Sequence, residues 1–274
     1  MKSVWKWLLL VLIILEIALV RLHLLDIRTA IGVFIAIESL LFIVGFRQVV
    51  IAVRSFRHDR NTGLDVWEAL ENGLAVFLPQ KMARITASEP KLWYYLGLWM
   101  LKRIRRDEFD FTYHRKSIMG PILIVLLFTT PFELLLFELL LPWAWLRWLI
   151  IILGIYTFFW ICGLYASLVA IPHTLTGTGI RLAYGALAHG DISYEDIMTV
   201  EAKRRTSQGE GLKVIPKEDA AYFTIGGNTD VTIQLRASKP MNGWLGPTAT
   251  VTTVHLAVDE PERLVQELSK HLYS

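Results

Sequence analysis

Long apolar runs alternate with charged connections along the first two thirds of the chain. Four of these runs, residues 4–22, 30–53, 118–141 and 143–171, reach the roughly 20 residues that a helix needs to cross a hydrocarbon core. Only short turns separate the first run from the second and the third from the fourth. The pattern predicts four membrane-spanning helices in two hairpins, over residues 1–54 and 118–171.

The segment between the hairpins, residues 55–117, has the pattern of helices that lie on an apolar surface. Trp67, Leu70, Leu74 and Phe77 recur at helical spacing, and Pro79 ends this amphipathic helix. Such a helix needs an apolar neighbour to cover its apolar face.

A second helix in this segment is predicted to begin at Ser88, with Pro90 in its first turn. It runs through KLWYYLGLWMLKRIRR and ends in four cations, which are Lys102, Arg103, Arg105 and Arg106. Because an anionic membrane surface attracts cations, we expect this helix to lie in the interface and contact lipid headgroups. The alternative is a cytoplasmic helix with a solvated basic end. His114 and Arg115 are placed at the same headgroup level, or simply flank the next span.

From residue 172 the pattern changes to short stretches in which apolar and polar residues alternate. Val231, Ile233 and Leu235 alternate with polar residues, which is typical of a strand with one buried face. A final helix is predicted after Asp259, with Leu264 and Leu268 on its apolar side. Residues 172–274 are therefore predicted to form an α+β domain, an antiparallel sheet or partly open barrel closed by a helix. The stretch TSQGEGLKVIPKED is predicted to be a mobile loop.

Charge predicts the orientation of the spans. Residues 54–117 contain twelve Lys and Arg, whereas the turn near Pro142 contains none. The positive-inside rule places the middle segment, both termini and the C-terminal domain in the cytoplasm.

Composition agrees with a membrane protein and narrows its chemistry. The chain has 54% apolar and 19% charged residues and a formal net charge of +3, which argues against a nucleic-acid-binding surface. A single cysteine excludes a disulfide within the chain and zinc sites with two thiolates. No phosphate-binding loop, paired-histidine motif or nucleophile elbow occurs, so no cofactor is predicted and an enzyme is not favoured.

Three segments of the C-terminal region, PHTLTGTGIRLAYG, ISYEDIMTVE and VHLAVDEPERLVQEL, resemble a bacterial pleckstrin-homology-like (PH-like) domain. Through GLDVWEALE, FTYHRKS and GGNTDVTIQLR, the wider chain resembles a family of bacterial integral membrane proteins that carries no established activity. The resemblance implies the bacterial plasma membrane as the location and a domain that binds lipid headgroups or proteins. Residues 172–274 hold ten Lys and Arg against twelve Asp and Glu, which favours a protein partner or self-association.

Ionisable residues inside the predicted spans are the remaining candidates for function. Glu138 and Arg147 stand at matching depth on either side of the turn near Pro142 and are predicted to form a structural ion pair.

Glu16, Glu38 and Glu133 are predicted to lie at similar depths, where they would bind a proton or a divalent cation or each hydrogen-bond to a neighbouring helix. Two functions are therefore open. The first is a membrane scaffold or regulatory protein with a cytoplasmic PH-like interaction domain and a basic interfacial platform. The second is a transporter or membrane-embedded enzyme that acts on an ion, lipid or apolar substrate through these three carboxyls.

Overall fold

The computed structural model describes residues 27–207, 211–242 and 248–272. The first predicted span, residues 4–22, lies outside the described residues. The α-helices of the described part are α1 Ile27–Asn61, α2 Val66–Ala75, α3 Gln80–Met100, α4 Met119–Leu140, α5 Ala144–Ala170 and α6 Pro261–Leu272.

Three helical segments are long and apolar enough to cross a membrane. They are Ile35–Asn61 within α1, Met119–Leu140 and Ala144–Ala170, with mean hydropathies of 1.9, 2.1 and 2.2. Trp143, Trp145 and Trp148 lie exposed around the turn between α4 and α5, where an indole suits the boundary between membrane and water. These helices coincide with the second, third and fourth predicted spans.

The C-terminal domain contains two sheets. The first is antiparallel and consists of β1 Asp110–Phe111, β2 His173–Leu175, β3 Gly179–Tyr184 and β4 Ala188–Ser193, in that order. The second consists of β5 Ile197–Thr206, β6 Gly211–Ile215, β7 Ala220–Thr224, β8 Asn228–Asn242 and β9 Thr248–Leu256. Its spatial order is β5-β8-β9-β7-β6.

Two details of the predicted sheet are wrong. The pair formed by β7 and β9 is parallel, because the chain reverses once between β7 and β8 and again between β8 and β9. The stretch predicted to be a mobile loop contains β6, in which Leu212 and Val214 are buried and Lys213 between them is exposed. That alternation is typical of a strand with one buried face.

The hydrophobic core of the domain lies between the two sheets and under α6. Phe223, Val254 and Ile197 from the second sheet are buried in it, as are Leu264 and Leu268 from α6. The predicted closing helix is therefore confirmed, with its apolar side buried and its first turn beginning at a proline.

The chain divides into two compact units, with the boundary after Ser88. In the first unit α2 packs on α1, and a Cβ added at Gly73 would lie only 3.0 Å from the Ala52 carbonyl oxygen. Asp65 caps α2 by accepting a hydrogen bond from the Trp67 amide at 2.9 Å. The predicted amphipathic helix is therefore present and has its apolar neighbour, but it ends at Ala75, before Phe77 and Pro79.

The predicted start of the second helix at Ser88 is wrong. Helix α3 already begins at Gln80, and Pro90 lies inside it. The Ser88 hydroxyl donates to the Ile85 carbonyl at 2.7 Å, within the helix. A proline in a helix leaves one carbonyl without its amide partner but does not always end the helix.

Candidate functional site

The segment that precedes the second hairpin is part of the sheet domain. Asp110 pairs with Thr174 and Phe111 with His173 across β1 and β2. The domain is therefore built from residues on both sides of the hairpin, and it extends beyond the predicted range of 172–274. We refer to residues 110–117 and 163–187, which join the hairpin to the sheets, as the junction.

The Tyr113 side chain lies at the centre of the junction. Its hydroxyl donates to the Ile171 carbonyl and accepts from the Gly185 amide, each at 2.8 Å. The ring is fully buried, and burial raises the pKa of Tyr113. This one side chain ties the residue after α5 to the turn between β3 and β4.

His173 lies next to Tyr113, with ring centroids 4.5 Å apart. Its Nδ1 accepts from the Ala183 amide at 3.0 Å, and its Nε2 lies 3.3 Å from the Ala257 carbonyl, to which it donates. A ring that accepts at one nitrogen and donates at the other is neutral. Burial lowers the pKa of His173 to about 4. The imidazole thus connects the first sheet to the end of β9 as an uncharged bridge.

Ser167 fixes the end of α5 to the same turn. Its hydroxyl donates to the Leu164 carbonyl at 2.8 Å and accepts from the Ala186 amide at 3.1 Å. Gly185 has φ +50°, and a Cβ there would lie 2.5 Å from the Ser167 oxygen. Glycine suits this position because it adopts a positive φ readily and has no Cβ to clash with Ser167.

A second group of contacts fixes the segment of the junction that precedes α4. Lys116 forms an ion pair with Asp230 at 3.0 Å, and Thr112 donates to the Asp259 carboxylate at 2.7 Å. The Arg263 guanidinium lies 4.9 Å from the centre of the Phe111 ring. The segment before α4 is therefore bound to β8, to the start of α6 and to the residues between β9 and α6.

The aromatic part of α3 packs on α5. A Cβ added at Gly163 would lie 3.1 Å from the Leu92 carbonyl oxygen, and the Trp99 ring meets the Tyr165 ring edge-on at 6.0 Å. The Tyr156 hydroxyl donates to the Glu89 carboxylate. Glu89 was not among the predicted site residues. A carboxyl directly before Pro90 and an aromatic run would have been the signal.

The four predicted headgroup cations follow α3 instead of forming its last turn. The helix stops because Lys102 adopts a left-handed conformation with φ +55°, and the Arg103 amide bonds back to the Leu98 carbonyl at 2.9 Å. Lys102, Arg103, Arg105 and Arg106 are exposed. We refer to residues 102–106 as the basic segment.

His114 lies in the junction. Burial lowers the pKa of His114, the charges of Arg106 and Arg115 lower it further, and the Asp259 carboxylate opposes them. The His114 Nδ1 atom is buried and has no hydrogen-bond partner in the described structure. Arg115 is exposed beside it.

The predicted carboxyl layer is only partly described. Glu16 lies outside the described residues, and the described structure gives only the backbone of Glu38 in α1. Glu133 is exposed on α4. The layer stays a prediction. For the predicted ion pair, the Arg147 guanidinium donates to the main-chain carbonyl of Glu138 at 3.5 Å.

Two further pairs of polar side chains lie on or next to strands β7, β8 and β9 of the second sheet. His255 Nδ1 lies 3.0 Å from the Thr232 hydroxyl, and the Tyr222 hydroxyl donates to Glu218 at 2.6 Å. Burial, with a smaller contribution from Arg205, lowers the pKa of His255 to about 4. Burial and the Glu218 carboxylate raise the pKa of Tyr222 to about 12.

Among residues 27–207, 211–242 and 248–272, no three His, Cys, Asp or Glu side chains are grouped to hold a metal ion. No protein-family model, curated protein or solved structure matches the chain. The class of protein is therefore defined by its architecture alone. It has helices able to span a membrane and a C-terminal domain of antiparallel and mixed sheets.

Proposed function

We propose that this chain is an integral membrane scaffold or regulatory protein that presents its sheet domain to a protein partner on the cytoplasmic side of the bacterial plasma membrane. The observation that carries the proposal is the junction. Two segments connect the hairpin with the domain, and both are buried in the core. Phe111 and Tyr113 belong to the segment before α4, and Ser167 and His173 to the segment at the end of α5.

A flexible tether would be enough to keep a domain near a membrane. The buried hydrogen bonds of Tyr113 and Ser167 instead hold the domain in one orientation relative to the hairpin. Buried and fully paired polar groups favour a single arrangement, because breaking one leaves an unpaired group in the core. A fixed orientation is useful to a protein that positions a partner relative to the membrane.

We propose a PH-like fold for the domain. Two sheets around one core and a closing C-terminal helix support this assignment. The parallel pairing of β7 with β9 departs from an all-antiparallel barrel. We assign the spans to the orientation that the positive-inside rule predicts, with the eleven Lys and Arg of residues 55–117 and both termini on the cytoplasmic side.

The surface of the sheet domain favours a protein partner over a lipid. Within residues 172–274, ten Lys and Arg are outnumbered by twelve Asp and Glu. Strand β5 forms one edge of the second sheet, and its residues Met198 and Arg204 are exposed. Exposed edge strands are surfaces on which proteins associate.

Site-specific photo-crosslinking in cells tests this function. We expect a crosslinker at Met198 or Arg204 of the full chain to give a protein adduct of one discrete mass, either with a partner or with a second copy. The lipid-facing position Ile124 on α4 serves as the matched control and should give no protein adduct. Tyr113→Phe, which loosens the junction, should reduce the adduct yield. A well-expressed chain without a discrete adduct at either sheet position would contradict the proposal.

A further inference from the structure

Side-chain exposure changes along α5. Ile152, Leu153 and Ile155 are exposed apolar residues, as expected of a surface covered by lipid. From Gly163 to Leu168 most of the helix is buried within the protein. The cytoplasmic boundary of the hydrocarbon therefore lies close to Gly163, about 10 Å before the end of α5 at Ala170 by helical rise.

The C-terminal half of α3 lies at this boundary. Its Leu92 packs on Gly163 and its Trp99 on Tyr165, where α5 changes from exposed to buried. Earlier in α3, Glu89 and Trp93 contact Tyr156, about two turns nearer the middle of α5. The aromatic end of α3 is thus held at the level of the interface by the spanning helix.

Apolar and basic side chains follow one another at this end of α3. Met100 and Leu101 are each 64% exposed and Trp99 is 38% exposed, although all three would be costly to leave in water. The exposed cations of the basic segment come directly afterwards, and Arg115, in the junction, is also exposed. An apolar group beside a cationic group is the arrangement of a surface that binds anionic lipid.

We propose that Trp99, Met100 and Leu101 insert into the cytoplasmic leaflet while the basic segment and Arg115 bind the phosphates of anionic lipids. The inference rests on the membrane placement of the proposed function but is independent of any protein partner. A protein ligand for this surface is disfavoured, because the contacts of α3 with α5 hold it at the depth of the headgroups. Each cation near an anionic leaflet strengthens binding, so four or five together give a large preference.

Native mass spectrometry of the full chain released from neutral detergent tests the proposal. Bound phosphatidylglycerol and phosphatidylcholine of equal chain length are counted over a range of ammonium acetate concentrations. We expect a preference of about tenfold or more for the anionic lipid, which weakens as salt rises. Changing Lys102, Arg103, Arg105 and Arg106 to Gln should reduce this preference to about twofold or less.

The matched control changes four exposed cations of the sheet domain to Gln, namely Lys203, Arg204, Lys217 and Lys270. It should keep the preference, and circular dichroism should show that both variants are folded. Replacing Met100 and Leu101 by Ser should weaken binding of both lipids while keeping the preference for the anionic one. Soluble glycerol phosphate should not displace the lipid.

Three results would overturn the proposal. They are equal binding of the two lipids by the unmodified chain, an unchanged preference in the basic-segment variant, and displacement by glycerol phosphate, which would indicate a site for free phosphate. The lipid measurements involve no protein partner. A negative result there would contradict the lipid site alone, whereas a negative crosslinking result would contradict the proposed function.

Discussion

Residues 172–274 produced alone are expected to remain unfolded, whereas residues 107–117 joined by a flexible linker to residues 163–274 are expected to fold. The isolated fragment lacks the fully buried rings of Phe111 and Tyr113 and also lacks Leu168. Losing one large core side chain costs about 2–5 kcal/mol, and a domain has only about 5–15 kcal/mol of stability. Three such losses are enough to unfold it.

Circular dichroism melting measures this difference. The linked fragment should show a cooperative transition and the isolated fragment none. Phe111→Asp in the linked fragment is the matched control, because it keeps the length but introduces an unpaired charge into the core, and it should abolish the transition. A cooperative melt of residues 172–274 alone, at the same midpoint as the linked fragment, would show that the junction contributes nothing to folding.

Acid is expected to destabilise the sheet domain between about pH 6.5 and pH 4. His173 is neutral in the folded state, where burial lowers its pKa to about 4 from the ordinary histidine value of 6.5. The unfolded chain therefore binds more protons in this window, so the free energy of unfolding falls as pH falls from 6.5 to 4 and is fully retained above that window. The shift corresponds to about 3 kcal/mol for this residue.

Thermal unfolding of the detergent-solubilised chain at a series of pH values measures the effect. His173→Gln, which does not titrate here, should lower the midpoint at neutral pH and flatten its dependence on pH. His255→Gln should also flatten it, since the pKa of His255 is lowered in the same direction. His189→Gln at an exposed position controls for the loss of an imidazole. If the unfolding midpoint depends on pH equally in H173Q and in the unmodified chain, His173 is not buried in its neutral form.

The elements marked by a pattern of many consecutive residues were predictable from the sequence. The apolar runs of α4 and α5 exceed the length of a bilayer crossing, and Leu264 and Leu268 mark the buried side of α6. The edge strand β1 was not predictable in this way, because it has two residues and its partner β2 lies beyond the whole hairpin. The alternation of Phe111 and Tyr113 was the only local signal for it.

In the candidate site, too, local features were predictable from the sequence and contacts between distant residues were not. The composition of residues 102–106 indicated a cationic surface, but their position after the helix depends on the left-handed Lys102. Tyr113 and His173 flank the second predicted hairpin, and their place in the chain does not predict burial. Their buried hydrogen bonds depend on Gly185 and Ala257, which are distant in sequence and come close only in the folded domain.

The most direct test of the account is a distance measurement across the junction in a lipid bilayer. Spin labels at Ile155 on α5 and at Thr199 on β5 would be introduced into a Cys162→Ser chain, and pulsed electron paramagnetic resonance would give the distribution of distances between them. If the junction holds the sheet domain in one orientation, the distribution is a single narrow peak that broadens in Tyr113→Phe. A broad distribution in the chain with an intact junction would contradict the account.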